Sequence, residues 1–424
     1  MFRMPMMDGQ GREETLYYDP AANRLFNADR EPFEVRDETP ADPAGQVFHL
    51  RLALGKDCNF NCQYCHQGPA RRRDFSQPQE TLSSDQLTGE ILRWAGPRAL
   101  RGVGFWGGEP LLYFDQIREL HRRLNPHNAP GQPGTFYIVT NGSLLGRGDI
   151  ADWIINNQIN LTLSWDGPGQ RLRGSDPLAD PAVLANFRRI HAANPGLTQL
   201  APVWTRANNS PARYLDLAEE VLGFPPTLGD AAPVVVMDAD GLKAAIPPEG
   251  LPELTRGLAE AWSAGRLKGW NIGQDYIFRF FSRLNVSGIE AACHALSEKT
   301  LTVNLAGDIL ACQNVDKNGY DPVTGERYRL GRLQDLPAGA AVPLPWCVNL
   351  RARFETRCNQ CLVKGLCGGG CPYSSPEYFD YNCRASFHYR LALLVMALHA
   401  LTGRILRWDS FVPPETTEEK KDVA

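Results

Sequence analysis

From residue 47 onward, short apolar runs alternate with segments whose apolar residues recur at helical spacing, and this alternation constrains the fold more than any other feature. Strands are expected at 49–54 (HLRLAL), 102–106 (GVGFW), 135–140 (TFYIVT), 159–165 (INLTLSW), 200–205 (LAPVWT) and 232–237 (APVVVM). Helical stretches such as SSDQLTGEILRWAG, DQIRELHRRL, GDIADWIINN, PAVLANFRRIHAAN and ARYLDLAEEVLG separate them. Ser83 and Gln86 form a capping box at the start of the first. Strands alternating with helices make parallel βα units, whose function gathers at the carboxyl ends of the strands.

The 424 residues exceed what one small core needs, so two or more domains are expected. A net charge of −4 gives no electrostatic case for nucleic acid or an anionic membrane as partner. The longest apolar run, LALLVMALHALTG near residue 391, is too short to span a bilayer and reads as a packed helix. No secretion signal is visible, so a cytoplasmic protein is expected. That compartment keeps thiols reduced, and the eleven cysteines then need another explanation than disulfides. They cluster toward both ends of the chain, as metal-binding cysteines in two regions would.

The first cluster, Cys58, Cys62 and Cys65 in KDCNFNCQYCHQG, follows the first expected strand. A structural zinc site needs four ligands, and His66 is too close to Cys65 in sequence to complete one tetrahedron easily. Three thiolates on a cubane cluster would leave one iron open to a substrate or cofactor. Spacing alone favours the cluster and leaves zinc as the alternative.

Cys-x3-Cys-x2-Cys with Tyr64 before the last cysteine resembles the signature of radical S-adenosylmethionine (SAM) enzymes. Other stretches resemble that family in order: GGEP (Gly107 to Pro110) after the second strand, VTNGSLL with Asn141 after the third, LSWDGP with Ser164 at the fourth, and VWTRANN with Thr205 and Asn208 at the fifth. The resemblance implies a partial (β/α)6 TIM-like barrel of the radical SAM type over roughly 47–245. It also implies that Tyr64, Gly107, Gly108, Glu109, Asn141, Ser164, Arg173 and Thr205 contact SAM. Glu109 would meet the methionine amino group, Ser164 the ribose and Arg173 the carboxylate, with Arg171 competing for the last role. Singly, each motif is an ordinary turn.

The second cluster has the spacing Cys293-x13-Gly307-x4-Cys312, then Cys358-x2-Cys361-x5-Cys367-x3-Cys371-x11-Cys383. It resembles the seven-cysteine SPASM domain, which carries two auxiliary iron–sulfur clusters; a zinc domain is the alternative. The resemblance implies a distal cluster on Cys358, Cys361, Cys367 and Cys383, and a proximal one on Cys293, Cys312 and Cys371. Cys347 lies outside the seven and is expected as the fourth proximal ligand, with a buried free cysteine as its competing role. Three [4Fe–4S] clusters and SAM are therefore the expected cofactors.

The expected layout is an N-terminal extension (1–46), partly disordered; the SAM core (47–245); a helical bridge (246–292); the SPASM domain (293–390); and a C-terminal helix with a disordered tail (391–424). Enzymes of this layout mostly modify peptides and proteins. The resemblance implies a crosslink in a ribosomally made precursor peptide as the activity, with formylglycine formation on a sulfatase second. Anaerobic sulfatase maturases carry an aspartate directly after the cysteine matching Cys312, where this chain has Gln313, with Asp316 nearby. A multi-cluster electron carrier is the reading of another class. A flavodoxin- or ferredoxin-like donor is the expected redox partner, with the basic run Arg71 to Arg73 one place to attract it. The stretch TLYYDPAANRLF is expected to form a hairpin, able to add a strand to a leader peptide or to pack as an arm. Trp106 and Trp165 are expected on the wall of the site, with Trp204 and Tyr137 further candidates.

Overall fold

The computed structural model describes residues 1–33, 47–68, 81–96, 98–127, 136–267, 300–321, 325–343, 358, 361–367, 370–371 and 373–412. A small antiparallel sheet opens the chain: β1 (Phe2–Met7), β2 (Glu13–Asp19) and β3 (Arg24–Phe26). β2 and β3 are the expected hairpin. Residues 1–33 of the N-terminal extension are thus built into structure. The sheet is completed by β12 (Ile405–Leu406), which pairs with Met6 and Met7, so the two ends of the chain meet. Met4, Met6, Leu16, Tyr18 and Leu25 bury its inner face. The outer side of β3 is covered by its own chain, through the Phe26–Pro32 bridge and the Phe33 N–H to Leu25 bond (2.8 Å). The arm thus packs on itself at that edge, where Leu25 O and Phe26 already have partners.

The main sheet has the parallel strands β4 (Val47–Ala53), β5 (Ala99–Trp106), β6 (Phe136–Thr140), β7 (Asn160–Leu163) and β8 (Thr198–Leu200). α1 (Ser84–Ala95), α2 (Phe114–Leu124), α3 (Gly148–Asn156), α4 (Pro181–Ala193) and α5 (Pro211–Leu222) cover one face. Leu50, Leu52, Val103, Phe105, Ile138, Leu161 and Leu163 form one buried core with Ile91, Trp94, Ile117, Ile154 and Phe187 of the helices. α1 starts on the Ser83 capping box, with Ser83 and Gln86 bonded reciprocally.

The expected strands at 200–205 and 232–237 shrink. Beyond β8 the order continues only through the parallel bridges Leu200–Leu228 and Trp204–Pro233. Pro233 has no N–H for a ladder. Asn382, from a distant helix, occupies both backbone groups of Val236 instead, at 2.8 Å each. On the opposite edge an unforeseen parallel strand joins β4: β9 (Thr300–Asn304), followed by the antiparallel β10 (Asp308–Leu310) and β11 (Arg329–Arg332). The cysteine-rich half therefore extends the sheet of the first half.

After α6 (Ala239–Ala244), α7 (Leu251–Ser263) packs along α9 (Phe379–Thr402), with the short α8 (Lys364–Cys367) ahead of the latter. α9 runs unbroken through the boundary expected at 390/391 and buries the apolar run Leu391 to Leu398. No helix among the described residues is long and apolar enough to cross a membrane. Where α7 meets α9, the Thr255 hydroxyl lies 3.1 Å from His388 Nδ1 and donates to the His388 carbonyl at 3.0 Å. Burial, then the nearby Arg384, lowers the His388 pKa to about 4. The folded state thus prefers neutral His388, while the unfolded chain binds a proton near pH 6.5. Its stabilisation is complete above pH 6.5 and is lost as pH falls toward 4, by on the order of 3 kcal/mol. A His388→Leu variant should show a correspondingly flatter decline of thermal midpoint across that window.

Candidate active site

β4 ends at Ala53, and the segment carrying Cys58, Cys62 and Cys65 follows at the carboxyl edge. The turn after β5 lies directly across it: Gly108 N–H donates to Gly55 O (3.0 Å) and Glu109 N–H to Asp57 O (2.8 Å). A Cβ at Gly107 would come 2.8 Å from Gly55 O, and one at Gly108 would overlap the carbonyls of Asp57 and Lys56. Only glycine lets these two turns touch. The three cysteines are each half-buried. Burial pushes the Cys62 thiol up to about 11; Arg173 opposes the rise, while Cys65, Asp166 and Cys58 add to it. Cys62 thus sits in a setting that disfavours uncompensated thiolate, and a bound cationic metal centre reverses that preference.

The strand ends carry the other expected residues. Glu109 is buried, and its carboxylate accepts from the Thr140 hydroxyl (2.6 Å), Asn141 N–H (2.7 Å) and Leu111 N–H (3.0 Å), fastening the end of β5 to that of β6. Burial raises its pKa against these donors. The Asn141 amide donates to Asn59 (2.8 Å), beside Cys58. Ser164 bonds Thr140 O through its backbone (2.8 Å), and among the described residues its hydroxyl has no partner. Thr205 is buried, with its hydroxyl on Asn208 Oδ1 (2.5 Å). Tyr64 donates its phenol to the buried Asp166 and accepts from Arg173 (3.2 Å), whose guanidinium stands 3.5 Å from the Asp166 carboxylate. Arg171 is exposed, so the guanidinium on this edge is that of Arg173.

These residues fit SAM. The Arg173 Nε is buried without a hydrogen-bond partner, an orphaned donor suited to a carboxylate. The unpaired Ser164 hydroxyl suits a ribose, and the glycine turn lies against the cysteine segment. Three thiols with no fourth suit a cluster with one open iron.

In the C-terminal half, Cys312, Cys371 and Tyr373 pack together, and Tyr373 donates to Ala311 O (3.1 Å). Cys361 sits among the others: burial first, then Cys367, Cys383 and Cys358, pushes its thiol up to about 12. Cys293, Cys347 and Arg71 to Arg73 lie outside the described residues. Among the described residues no three His, Cys, Asp or Glu side chains converge as a site for a single metal ion.

The segment after Cys312 reaches back over the edge of the first half. Gln313 Oε1 accepts from Arg51 (2.7 Å) and its carbonyl from Gln67 (3.1 Å). Asn314 accepts from the Trp106 indole (3.1 Å) and lies 3.4 Å from His66 Nδ1, and Asp316 pairs with Lys56. Sequence reasoning missed Arg51, Lys56, His66, Gln67 and Asn314. Arg51 had left one signal, as the lone charge in an otherwise apolar strand. Trp106 lines this face as expected. Trp165 and Trp204, 1% and 0% exposed, belong to the core instead, and a Cβ on Gly104 would overlap the Tyr137 ring. Trp165 is drawn inward by its indole bond to Asp176 (2.8 Å).

A parallel α/β sheet with three cysteines after one strand and nucleotide-suited groups on the next strand ends defines a cluster-dependent enzyme. Residues 52–194 match the radical SAM superfamily, so the chain carries a radical SAM domain and the SAM and iron–sulfur chemistry that goes with it. It is 26% identical over 368 residues to the serine-type anaerobic sulfatase-maturating enzyme of Klebsiella pneumoniae, covering 78% of this chain and 84% of that protein. Its fold is similar to that of anSMEcpe with bound AdoMet and the Kp18Cys peptide (TM-score 0.57, 17% identity, 83% of this chain and 99% of that one). It is also similar to Streptococcus suis SuiB bound to its precursor peptide SuiA (TM-score 0.52, 17% identity, 78% of this chain and 75% of that one).

Proposed function

We propose that this enzyme modifies a ribosomally made precursor peptide, forming a side-chain crosslink in the reducing cytoplasm. The observation that carries this reading is the Cys312–Asp316 segment seated on the face beside Cys58, which sets a second group of cysteines next to the place where the radical arises. Cys58, Cys62 and Cys65 would hold the catalytic cluster. Cys358, Cys361, Cys367 and Cys383 would hold the distal one, and Cys293, Cys312, Cys347 and Cys371 the proximal one. When bound, SAM and the clusters would supply one-electron chemistry, hydrogen abstraction from the peptide and uptake of the electron left over. The chain's own residues position: Arg173 and Ser164 hold the nucleotide, and the packed glycine turn excludes water beside the cysteine segment. Trp106, Asn314 and Gln313 form a wall on which a peptide can lie. The likeness to enzymes crystallised with peptides supports the substrate class.

Sulfatase maturation is the second reading, favoured by the relative from Klebsiella. Against it stands Gln313, a neutral amide fixed by Arg51 that cannot take a proton as a carboxylate can. Reduced, anaerobic enzyme incubated with SAM and synthetic peptides encoded by neighbouring reading frames separates the two. A product lighter by two hydrogens and inert to aldehyde reagents supports the crosslink; an aldehyde-reactive product from a sulfatase peptide replaces it. An electron carrier would release no 5′-deoxyadenosine. A flavodoxin- or ferredoxin-like protein is the proposed donor.

A further inference from the structure

We infer that Asp166, acting with Tyr64, is a positioning residue that fixes the Arg173 guanidinium for the carboxylate of SAM and ties that grip to the cysteine segment. The inference rests on SAM binding at this edge and goes beyond it, since nothing in the motif pattern gives Asp166 or the Tyr64 hydroxyl this work.

Three polar groups from two separate segments meet under the edge. Asp166 follows β7 and is 0% exposed, Tyr64 stands between Cys62 and Cys65, and Arg173 ends the turn after Asp166. Asp166 uses Oδ1 to accept from Val203 N–H (2.9 Å) and to face Arg173 at 3.5 Å, while Oδ2 takes the Tyr64 hydroxyl. Arg173 spends its NH1 arm on this pair, donating to the Tyr64 oxygen. Its Nε, equally buried, donates to nothing among the described residues. A guanidinium presents its donors in a rigid fork, so pinning one arm fixes the direction of the rest. The backbone repeats the link: Gln63 N–H donates to Leu172 O (2.7 Å), and Cys62 and Leu172 both pack against the small core that contains Tyr64. Charge works in the same direction. A buried cation is costly without a counter-charge, and Asp166 supplies one while leaving the outer donors for a second carboxylate. Glu109, the other buried acid whose charge Arg173 feels, is already occupied by three donors of its own.

The test is equilibrium dialysis of anaerobically reconstituted full-length enzyme with SAM and with decarboxylated SAM, which lacks only the carboxylate. Asp166→Asn keeps the shape and an acceptor for Val203 while removing the charge. It should weaken SAM binding on the order of 10-fold, as should Arg173→Gln, and the double variant should lose little more than either alone, as expected for residues acting through one contact. Tyr64→Phe should lose about 3-fold, the share of one hydrogen bond. Decarboxylated SAM should bind all four variants as it binds wild type, with iron content unchanged. An Asp166→Asn enzyme that binds SAM like wild type, or that loses both nucleotides equally, would overturn the inference. Wild type binding neither nucleotide would instead sink the SAM site on which it rests.

Discussion

Replacing Cys58, Cys62 and Cys65 together by alanine abolishes release of 5′-deoxyadenosine while leaving the C-terminal cysteines loaded. The expectation follows from where the thiols stand. The three share one segment at the carboxyl edge of β4, under the glycine turn of β5, and their nearest polar neighbours are the groups suited to SAM. The C-terminal thiols gather separately, around Cys361 and around Cys312. Removing the first set therefore takes one cluster and should not touch the others. With the three clusters proposed above, iron should fall from roughly 12 to roughly 8 atoms per chain, at four per cubane. Reduced protein and SAM should then yield no 5′-deoxyadenosine above the rate without enzyme. Loss of all iron would mean that the cysteine groups fold as one unit, and unchanged iron would remove these thiols from cluster binding.

The second large effect is on stability. Glu109→Ala leaves the Thr140 hydroxyl and the Asn141 and Leu111 N–H groups without their acceptor, inside a site closed to water. At about 1–3 kcal/mol for each buried unsatisfied group, the cost is on the order of 4 kcal/mol, a large part of a typical domain's stability. Glu109→Gln keeps an acceptor oxygen and should cost about half as much. Thermal unfolding of the two variants beside wild type checks the order. Equal midpoints for Glu109→Ala and wild type would show that the strand-end network is not holding β5 to β6. Both variants also bear on SAM, because the turn they loosen lies on the cysteine segment.

What could be read in advance was local. The Ser83 cap, the β2–β3 hairpin, the first four parallel strands and the placement of motifs at strand ends depend on neighbours a few residues apart, where spacing and turn chemistry decide. What could not be read depends on long-range contact. The joining of β9 to β4 brings residue 300 beside residue 49, and the β1–β12 pair unites the two chain ends. Segment 232–237 looks like a strand by composition, yet Pro233 and the Asn382 side chain take it out of the ladder. Trp165 adjoins a SAM motif in sequence but turns inward to Asp176 and Tyr214. Arg51 gains its meaning only from Gln313, more than 250 residues later. The motif residues told which chemistry to expect; the wall around it came from the far half of the chain.

The radical chemistry depends on an iron with no protein ligand, available to SAM. Electron paramagnetic resonance of the reduced, anaerobically reconstituted enzyme, recorded before and after adding SAM, examines that iron directly. A cluster signal that changes when SAM is added, and changes no longer once Cys58, Cys62 and Cys65 are replaced, is the predicted result. A wild-type signal indifferent to SAM, or a protein that takes up zinc in place of iron, would contradict it.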